Sequence, residues 1–225
     1  MKTFKILGLL MSYPETKWVT HLDELKPLLR EENFLPKKNL QAVLVFIDRL
    51  KSADLFSLQE QYVSTFDRGR SHCLHLFEHI HGESRDRGQA MVDLSDAYKE
   101  KGLFIDHAEL PDYIPLFLEF LSLCPRDEAV ALLGEPIDIM ATIATRLKKR
   151  DSSYAVLFDA LVALSRVKPS KEKIEEVMAQ EPEDNSLEAM DKEWEEAAAF
   201  AGQPDQSVCG GCQAPDNGLN IQITR

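Results

Sequence analysis

Positive charge is what this sequence lacks most. It has 26 Lys and Arg against 38 Asp and Glu, which gives a formal net charge of −12 at pH 7. Such a chain repels a phosphate backbone, so we predict that nucleic acid is not among its partners. Residues 171–200 hold eleven Asp and Glu against three Lys and so account for −8 of that charge. We expect a basic partner peptide to be attracted to this acidic segment.

Cysteines and long apolar runs are also scarce. Two of the four cysteines, Cys73 and Cys124, lie beside apolar residues, and Cys209 and Cys212 lie near the C-terminus. They form no disulfide framework, which agrees with a reducing compartment. The apolar run near the N-terminus lacks a cleavage site, and no window reaches the roughly 18–20 apolar residues of a membrane span. We therefore predict a cytoplasmic protein without stable membrane association.

Alternation of apolar and polar residues, the pattern of half-buried strands, does not persist anywhere in the chain. Apolar residues recur instead at intervals of three and four, which predicts an all-α, single-domain helical bundle of about eight to ten helices. We expect residues 1–165 to form the main domain and residues 166–202 to supply an acidic linker and a C-terminal helix of the same domain. Residues 203–225 are rich in Gly, Pro, Gln and Asn, and we predict a disordered tail there.

The stretch "SHCLHLFEHIHGESRDRG" (71–88) combines four histidines with a cysteine. On a helix, His72, His75 and His79 would lie within about 60° of one another, so a metal-binding protein or a metal-dependent hydrolase is one interpretation. No H-E-x-x-H motif occurs, and Glu78 falls outside the histidine arc. Helix-edge histidines that hydrogen-bond to their neighbours are the favoured interpretation, and we predict no metal, cofactor or catalytic residue.

Arginines and acids flank the histidine stretch on both sides. Arginine pairs bidentately with carboxylates and can fix one backbone segment against another. The cluster therefore predicts either a network that ties loops together or the rim of a binding groove. Its members are Arg68 and Arg70 before the stretch, His79 and His81 at its end, and Glu83, Arg85 and Arg87 after it.

A second unusual stretch, "ELPDYIPLFLEFLS" (109–122), predicts a helix that begins near two prolines. Asp112 is the expected cap, with Pro115 in the first turn, where no N–H partner is needed. Glu109 and Asp112 would then either cap the helix or, beside Tyr113, receive a basic peptide. The apolar residues of these stretches are expected either in the core or in a groove: Phe77, Phe117, Leu118 and Leu121.

These two stretches, residues 66–94 and 109–122, closely resemble the NarJ-type chaperones that assemble the molybdenum cofactor of respiratory nitrate reductase, within the TorD-like superfamily. Glu109, Pro111 and Asp112 match a Glu-x-Pro-Asp-His motif of that superfamily, and Tyr113 replaces its histidine. Arg68, Arg70, His79, His81, Glu83, Arg85 and Arg87 match the NarJ-type stretch, whereas His72 and His75 stand where small or apolar residues are expected.

The resemblance implies an all-helical cytoplasmic chaperone of the TorD-like type with no catalytic turnover. Such a protein would bind the N-terminus of the apo catalytic subunit of nitrate reductase and hold it while iron–sulfur and molybdenum centres are inserted, before membrane docking. Proteins that deliver the molybdenum cofactor are further expected partners. An amphipathic leader helix would place its apolar face in a groove between bundle helices, and its basic residues would meet acids on the rim.

Overall fold

The computed structural model of the chain describes residues 1–68, 70–79, 86–105 and 109–179. Two compact units divide the chain, Met1–Glu183 and Asp184–Arg225, and the second lies outside the described residues, as does the tail predicted at 203–225. The division predicted at residues 165 and 202 stays a prediction. The described residues contain eleven α-helices: α1 (Lys2–Leu10), α2 (Thr16–Val19), α3 (Leu22–Glu32), α4 (Lys37–Ser52), α5 (Leu55–Phe66), α6 (Asp86–Glu100), α7 (Ile114–Leu123), α8 (Arg126–Leu133), α9 (Ile137–Lys149), α10 (Ala155–Leu164) and α11 (Lys171–Ala179).

The all-α prediction is confirmed, because the described ranges contain only one isolated antiparallel bridge, between His75 and Tyr113, besides the helices. Helix α1 packs against α3 and α7, and α10 packs against α4 and α9. The apolar stripes that these helices turn inward form one hydrophobic core that runs through α1 to α10. Burial of these stripes stabilises the helices more than their own propensities do.

The predicted histidine helix is wrong. Residues 70–79 contain two single turns of 3-10 helix, Arg70–His72 and Leu76–Glu78, and His75 between them has extended backbone. The Leu76 N–H donates to the Asp112 carbonyl at 3.0 Å, and the Ile114 N–H donates to the Leu74 carbonyl at 2.8 Å. Backbone groups that an α-helix would pair internally are thus paired with a distant segment, and this pairing prevents a continuous helix.

The start of α7 also differs from the prediction. Pro115 lies in the first turn as expected, but the residue that precedes the helix is Tyr113, and no side chain caps it. Asp112 is not the cap. Its side chain is fully buried and accepts hydrogen bonds from His75 and Phe77. The bridge between His75 and Tyr113 brings these residues together.

Gly8 permits the close packing of α1 on α7. A Cβ atom at this position would lie 2.9 Å from the Pro115 carbonyl oxygen and 3.3 Å from the Leu118 Cβ. The nearer contact is with backbone, which cannot rotate away as a side chain can. The two helices therefore approach each other through a position that has room only for hydrogen.

Two glycine substitutions test this packing. We expect Gly8→Ala to lower the free energy of unfolding by about 1–2 kcal/mol, because the strain of overpacking exceeds the gain in helix propensity. Gly88→Ala in α6 is the matched control, since no atom of the described residues lies within 4 Å of its added Cβ. That change should raise the free energy of unfolding by about 0.5–1 kcal/mol. Urea denaturation measures both, and equal effects of the two substitutions would contradict the packing account.

Candidate functional site: a groove between two helices

A groove of about 240 Å³ lies between α1 and α7. Its α1 wall consists of residues spaced by three and four, which therefore share one helix face. The α7 wall has the same spacing, and the segment that leads into α7 closes the groove. The lining residues are Lys5, Gly8, Leu9 and Ser12 on the first wall, Pro115, Leu116 and Glu119 on the second, and Glu109 and Tyr113 in the leading segment.

Both apolar and charged side chains line the groove. Leu9 and Leu116 are half-buried and pack on the core, so each presents part of its surface to the groove. Glu109 is exposed. Glu119 forms an ion pair with Lys5 on the opposite wall, with Lys5 Nζ 3.1 Å from Glu119 Oε1. Apolar residues beside acidic ones are complementary to an amphipathic helix that carries basic residues.

Tyr113 joins the groove to an aromatic cluster. Its hydroxyl oxygen lies 3.1 Å from that of Tyr62, and the Tyr62 ring packs edge-on against Tyr13 with the ring centroids 5.5 Å apart. Burial raises the pKa of the Tyr113 phenol, and the negative charge of Glu109 raises it further. Tyr113 is therefore a neutral hydrogen-bonding group at neutral pH. Tyr13 stays partly exposed beside Ser12 and extends the apolar surface.

The opposite side of the leading segment is tied to the histidine stretch. His75 Nδ1 donates to Asp112 Oδ1 at 3.2 Å, and the Phe77 N–H donates to Asp112 Oδ2 at 3.0 Å. The Tyr98 hydroxyl donates to the Pro111 carbonyl at 2.8 Å and connects α6 to the same segment. Successive residues of an extended segment point to opposite sides, so Tyr113 faces the groove while Asp112 fixes the backbone behind it.

The three histidines considered as metal ligands have separate hydrogen-bond partners. His72 Nδ1 pairs with Ser71 Oγ at 2.9 Å, His75 pairs with Asp112, and His79 Nε2 lies 3.0 Å from the Cys73 carbonyl oxygen. Across the described ranges, no group of three or more His, Cys, Asp and Glu is arranged to hold a metal ion. Burial raises the pKa of the Cys73 thiol to about 11, so the thiol stays protonated at neutral pH.

Arg146 of α9 fixes the first turn of this stretch. Its Nη1 donates to the Ser71 carbonyl at 2.7 Å, and its side chain is buried. Burial lowers the pKa of His72 to about 4, and the nearby charges of Arg150 and Arg146 lower it further. His72 is therefore neutral in the folded protein at neutral pH.

This neutral histidine predicts a loss of stability in acid. The unfolded chain protonates His72 near pH 6.5, whereas the folded protein does so only near pH 4. The free energy of unfolding should therefore fall as pH falls from about 6.5 to about 4, by up to about 3 kcal/mol from this residue. Burial lowers the pKa of His79 too and adds a loss of the same sign.

Urea denaturation at pH 7 and pH 4.5 tests this prediction. We expect His72→Gln to lose less stability between the two pH values than the wild-type protein does. Equal losses in the two proteins would contradict the assignment of the acid sensitivity to His72.

Arg87 of the predicted charge cluster forms an ion pair in the described part of the chain. Arg87 Nη1 of α6 donates to Glu78 Oε1 at 2.5 Å and ties that helix to the histidine stretch, as the loop-tying interpretation expects. Arg68 is exposed after α5. His81, Glu83 and Arg85 and the side chain of Arg70 lie outside the described part of the chain.

The predicted apolar residues lie mainly in the core. Phe117, Leu118 and Leu121 are buried in α7, and Phe77 is half-buried and packed against the core. The residues of α7 that line the groove are Pro115, Leu116 and Glu119, and the wall formed by α1 was not predicted. The spacing of positions 5, 8, 9 and 12 is a signal in the sequence, but only the packing on α7 shows that this face lines a groove.

Two packed helices that leave a groove lined by apolar and acidic residues are typical of a binding protein. In the described residues, no helix is both long and apolar enough to cross a bilayer. The family model for the nitrate reductase delta subunit matches residues 27–160. The chain therefore belongs to this family, and the NarJ-type resemblance seen in the sequence is confirmed.

Two curated relatives from Escherichia coli K12 support this membership. The nitrate reductase molybdenum cofactor assembly chaperone NarJ is 42% identical over 191 residues, which are 85% of this chain and 81% of NarJ. The probable chaperone of the same description named NarW is 41% identical over 210 residues, which are 93% of this chain and 87% of NarW. These relatives are named as assembly chaperones, which agrees with the prediction of a protein without catalytic turnover.

A solved structure supports the fold. The crystal structure described as a "putative redox enzyme maturation protein" from Archaeoglobus fulgidus superposes with a TM-score of 0.52. It covers 72% of this chain and 91% of that protein at 24% sequence identity. At this identity the likeness shows a shared helical fold.

Proposed function

We propose that this protein is a dedicated chaperone for the apo catalytic subunit of a respiratory nitrate reductase. It binds the N-terminus of that subunit and assists insertion of the molybdenum cofactor and the iron–sulfur centre before the subunit docks at the membrane, and then dissociates. The relatives named as molybdenum cofactor assembly chaperones support this client. The groove between α1 and α7 is the observation that supports binding of a peptide.

The groove suits a client segment that folds as an amphipathic helix. The apolar face of this helix would lie on Leu9 and Leu116, and its basic residues would meet Glu109 and Glu119 at the edges. Burial of apolar surface supplies most of the affinity in this mode of binding, and charge pairs at the rim set orientation and partner choice. Tyr113 offers its hydroxyl at one end of the groove as a hydrogen-bonding group.

Asp112 contributes indirectly in this proposal. Its buried carboxylate holds residues 75–77 against the segment that carries Glu109 and Tyr113. Phe117, Leu118 and Leu121 support the α7 wall from the core side. The remaining residues of the predicted client site stay candidates for contact with the client: Arg68, Arg70, Phe77, His79, His81, Glu83, Arg85 and Arg87.

The cytoplasm is the compartment that this function requires, since a subunit that still lacks its cofactor would be met there before it reaches the membrane. The sequence-based prediction of a cytoplasmic protein agrees with this location. The proposed protein carries no cofactor of its own.

Calorimetric titration with a synthetic peptide tests the proposal. The peptide is the first ~20 residues of the catalytic subunit from the same organism, long enough for a helix of about 30 Å. We expect saturable binding at one site, weakened by Glu109→Lys. Glu135→Lys is the matched control because Glu135 is an exposed acid between α8 and α9 that does not line the groove. Absence of binding, or equal weakening by both substitutions, would overturn the proposed groove.

A further inference from the structure

An ion pair spans the groove between its two walls. Lys5 Nζ of α1 lies 3.1 Å from Glu119 Oε1 of α7, and both residues line the groove. Their side chains are 68% and 43% exposed, so water screens the pair and its contribution to stability is small. The lysine can therefore leave Glu119 at little cost.

The two acids of the groove differ in their pairing. Glu119 already holds an ammonium group, whereas Glu109 takes part in none of the ion pairs found within the described residues. Leu116 lies one helical turn before Glu119 on the same face of α7. If a ligand helix places an apolar side chain on Leu116, the ligand residue one turn from that side chain therefore lies close to Glu119.

We infer that Glu119 recognises a cationic side chain of the bound segment and that Lys5 occupies this carboxylate in the free protein. The inference rests on the proposed function, because it assumes that a peptide enters the groove. The kind of partner it specifies is an amphipathic helix with Lys or Arg one turn from an apolar residue. On binding, the client cation replaces the Lys5 ammonium group, and Lys5 turns to solvent.

This exchange makes the two residues act in opposite directions. Removal of the Lys5 charge frees Glu119 for the client, so binding becomes tighter. Removal of the Glu119 charge eliminates the acceptor of the client cation, so binding becomes weaker. A groove that used Lys5 to attract an acidic ligand would show the reverse order.

Calorimetric titration at low ionic strength with the same N-terminal peptide tests the inference on the full chain. From the usual strength of exposed ion pairs, we expect Lys5→Met to bind about two- to fivefold more tightly than wild type and Glu119→Gln to bind about two- to fivefold more weakly. Lys2→Met is the matched control, because Lys2 lies on the same helix, pairs with Glu31 at 3.0 Å and does not line the groove. It should bind as wild type does.

A series of peptides identifies the client cation. Each Lys or Arg of the peptide is replaced in turn by Gln, and one of these peptides should bind equally well to wild type and Glu119→Gln. If wild type binds the peptide but Lys5→Met binds no more tightly, or if every peptide loses the same factor with Glu119→Gln, the inference is overturned and the proposed function stands. If neither wild type nor the variants bind, the proposed function fails and the inference fails with it.

Discussion

Asp112→Ala should lower the free energy of unfolding by about 2–4 kcal/mol, because a buried acceptor of two hydrogen bonds is lost. The Asp112 side chain is fully buried and accepts from His75 Nδ1 and the Phe77 N–H. Without this side chain, the Phe77 N–H loses its acceptor, and residues 75–77 are held less firmly against the start of α7. Urea denaturation measures the change, and peptide titration should show weaker binding as Tyr113 loses its position.

Asp127→Ala is the matched control for this substitution. Asp127 is also an aspartate in an ion pair, with Arg166, but its side chain is 81% exposed. Exposed pairs contribute about 0–1 kcal/mol, so this change should be nearly neutral. A loss at Asp112 no larger than the loss at Asp127 would contradict the role given to the buried carboxylate.

Leu116→Lys should weaken binding of the N-terminal peptide by about 10- to 100-fold, the cost of losing one leucine contact of about 1.5–3 kcal/mol. Leu116 is half-buried in the groove wall, and a lysine there also repels the basic residues expected in the client. The long lysine side chain can extend its charge to solvent, so the fold should be kept. Titration together with a thermal melt separates loss of binding from loss of structure.

Leu123→Lys provides the comparison within the same helix. Leu123 ends α7, is 54% exposed and does not line the groove. We expect this variant to bind the peptide as wild type does. Equal weakening by the two substitutions would show that charge on α7, and not the apolar groove contact, reduces binding.

The fold class could be predicted from the sequence because helical periodicity is a local property. Apolar residues at intervals of three and four require only their own helix to become a buried stripe, and such stripes in α4, α7, α9 and α10 pack into the core as expected. The role of Asp54 as the N-cap of α5 was likewise predictable, since a side-chain cap acts within one turn. Its Oδ1 accepts from the Ser57 N–H at 3.0 Å.

The histidine stretch could not be predicted in the same way. Its local spacing is typical of a helix, but the backbone of Leu74 and Leu76 is paired with residues 112–114, almost forty positions away. Asp112 was misassigned for the same reason. An aspartate before a helix usually caps it, and only the bridge turns this one toward His75 and Phe77.

The groove could be predicted only in part. Glu109 and Tyr113 were identified from their motif, but the opposite wall depends on how closely α1 approaches α7. That distance is set where Gly8 meets the Pro115 carbonyl, a contact between residues more than one hundred positions apart. Sequence spacing can place Lys5, Gly8 and Leu9 on one face, but it cannot show which helix that face meets.

The molybdenum content of the client tests the central claim most directly. The catalytic subunit of nitrate reductase is purified from cells that lack this protein and from cells that carry wild type, Leu116→Lys or Leu123→Lys, and molybdenum per subunit is measured by mass spectrometry. We predict near-stoichiometric molybdenum with wild type and Leu123→Lys, and strongly reduced molybdenum with Leu116→Lys or without the protein. Full molybdenum content in the absence of the protein would contradict the assignment as an assembly chaperone.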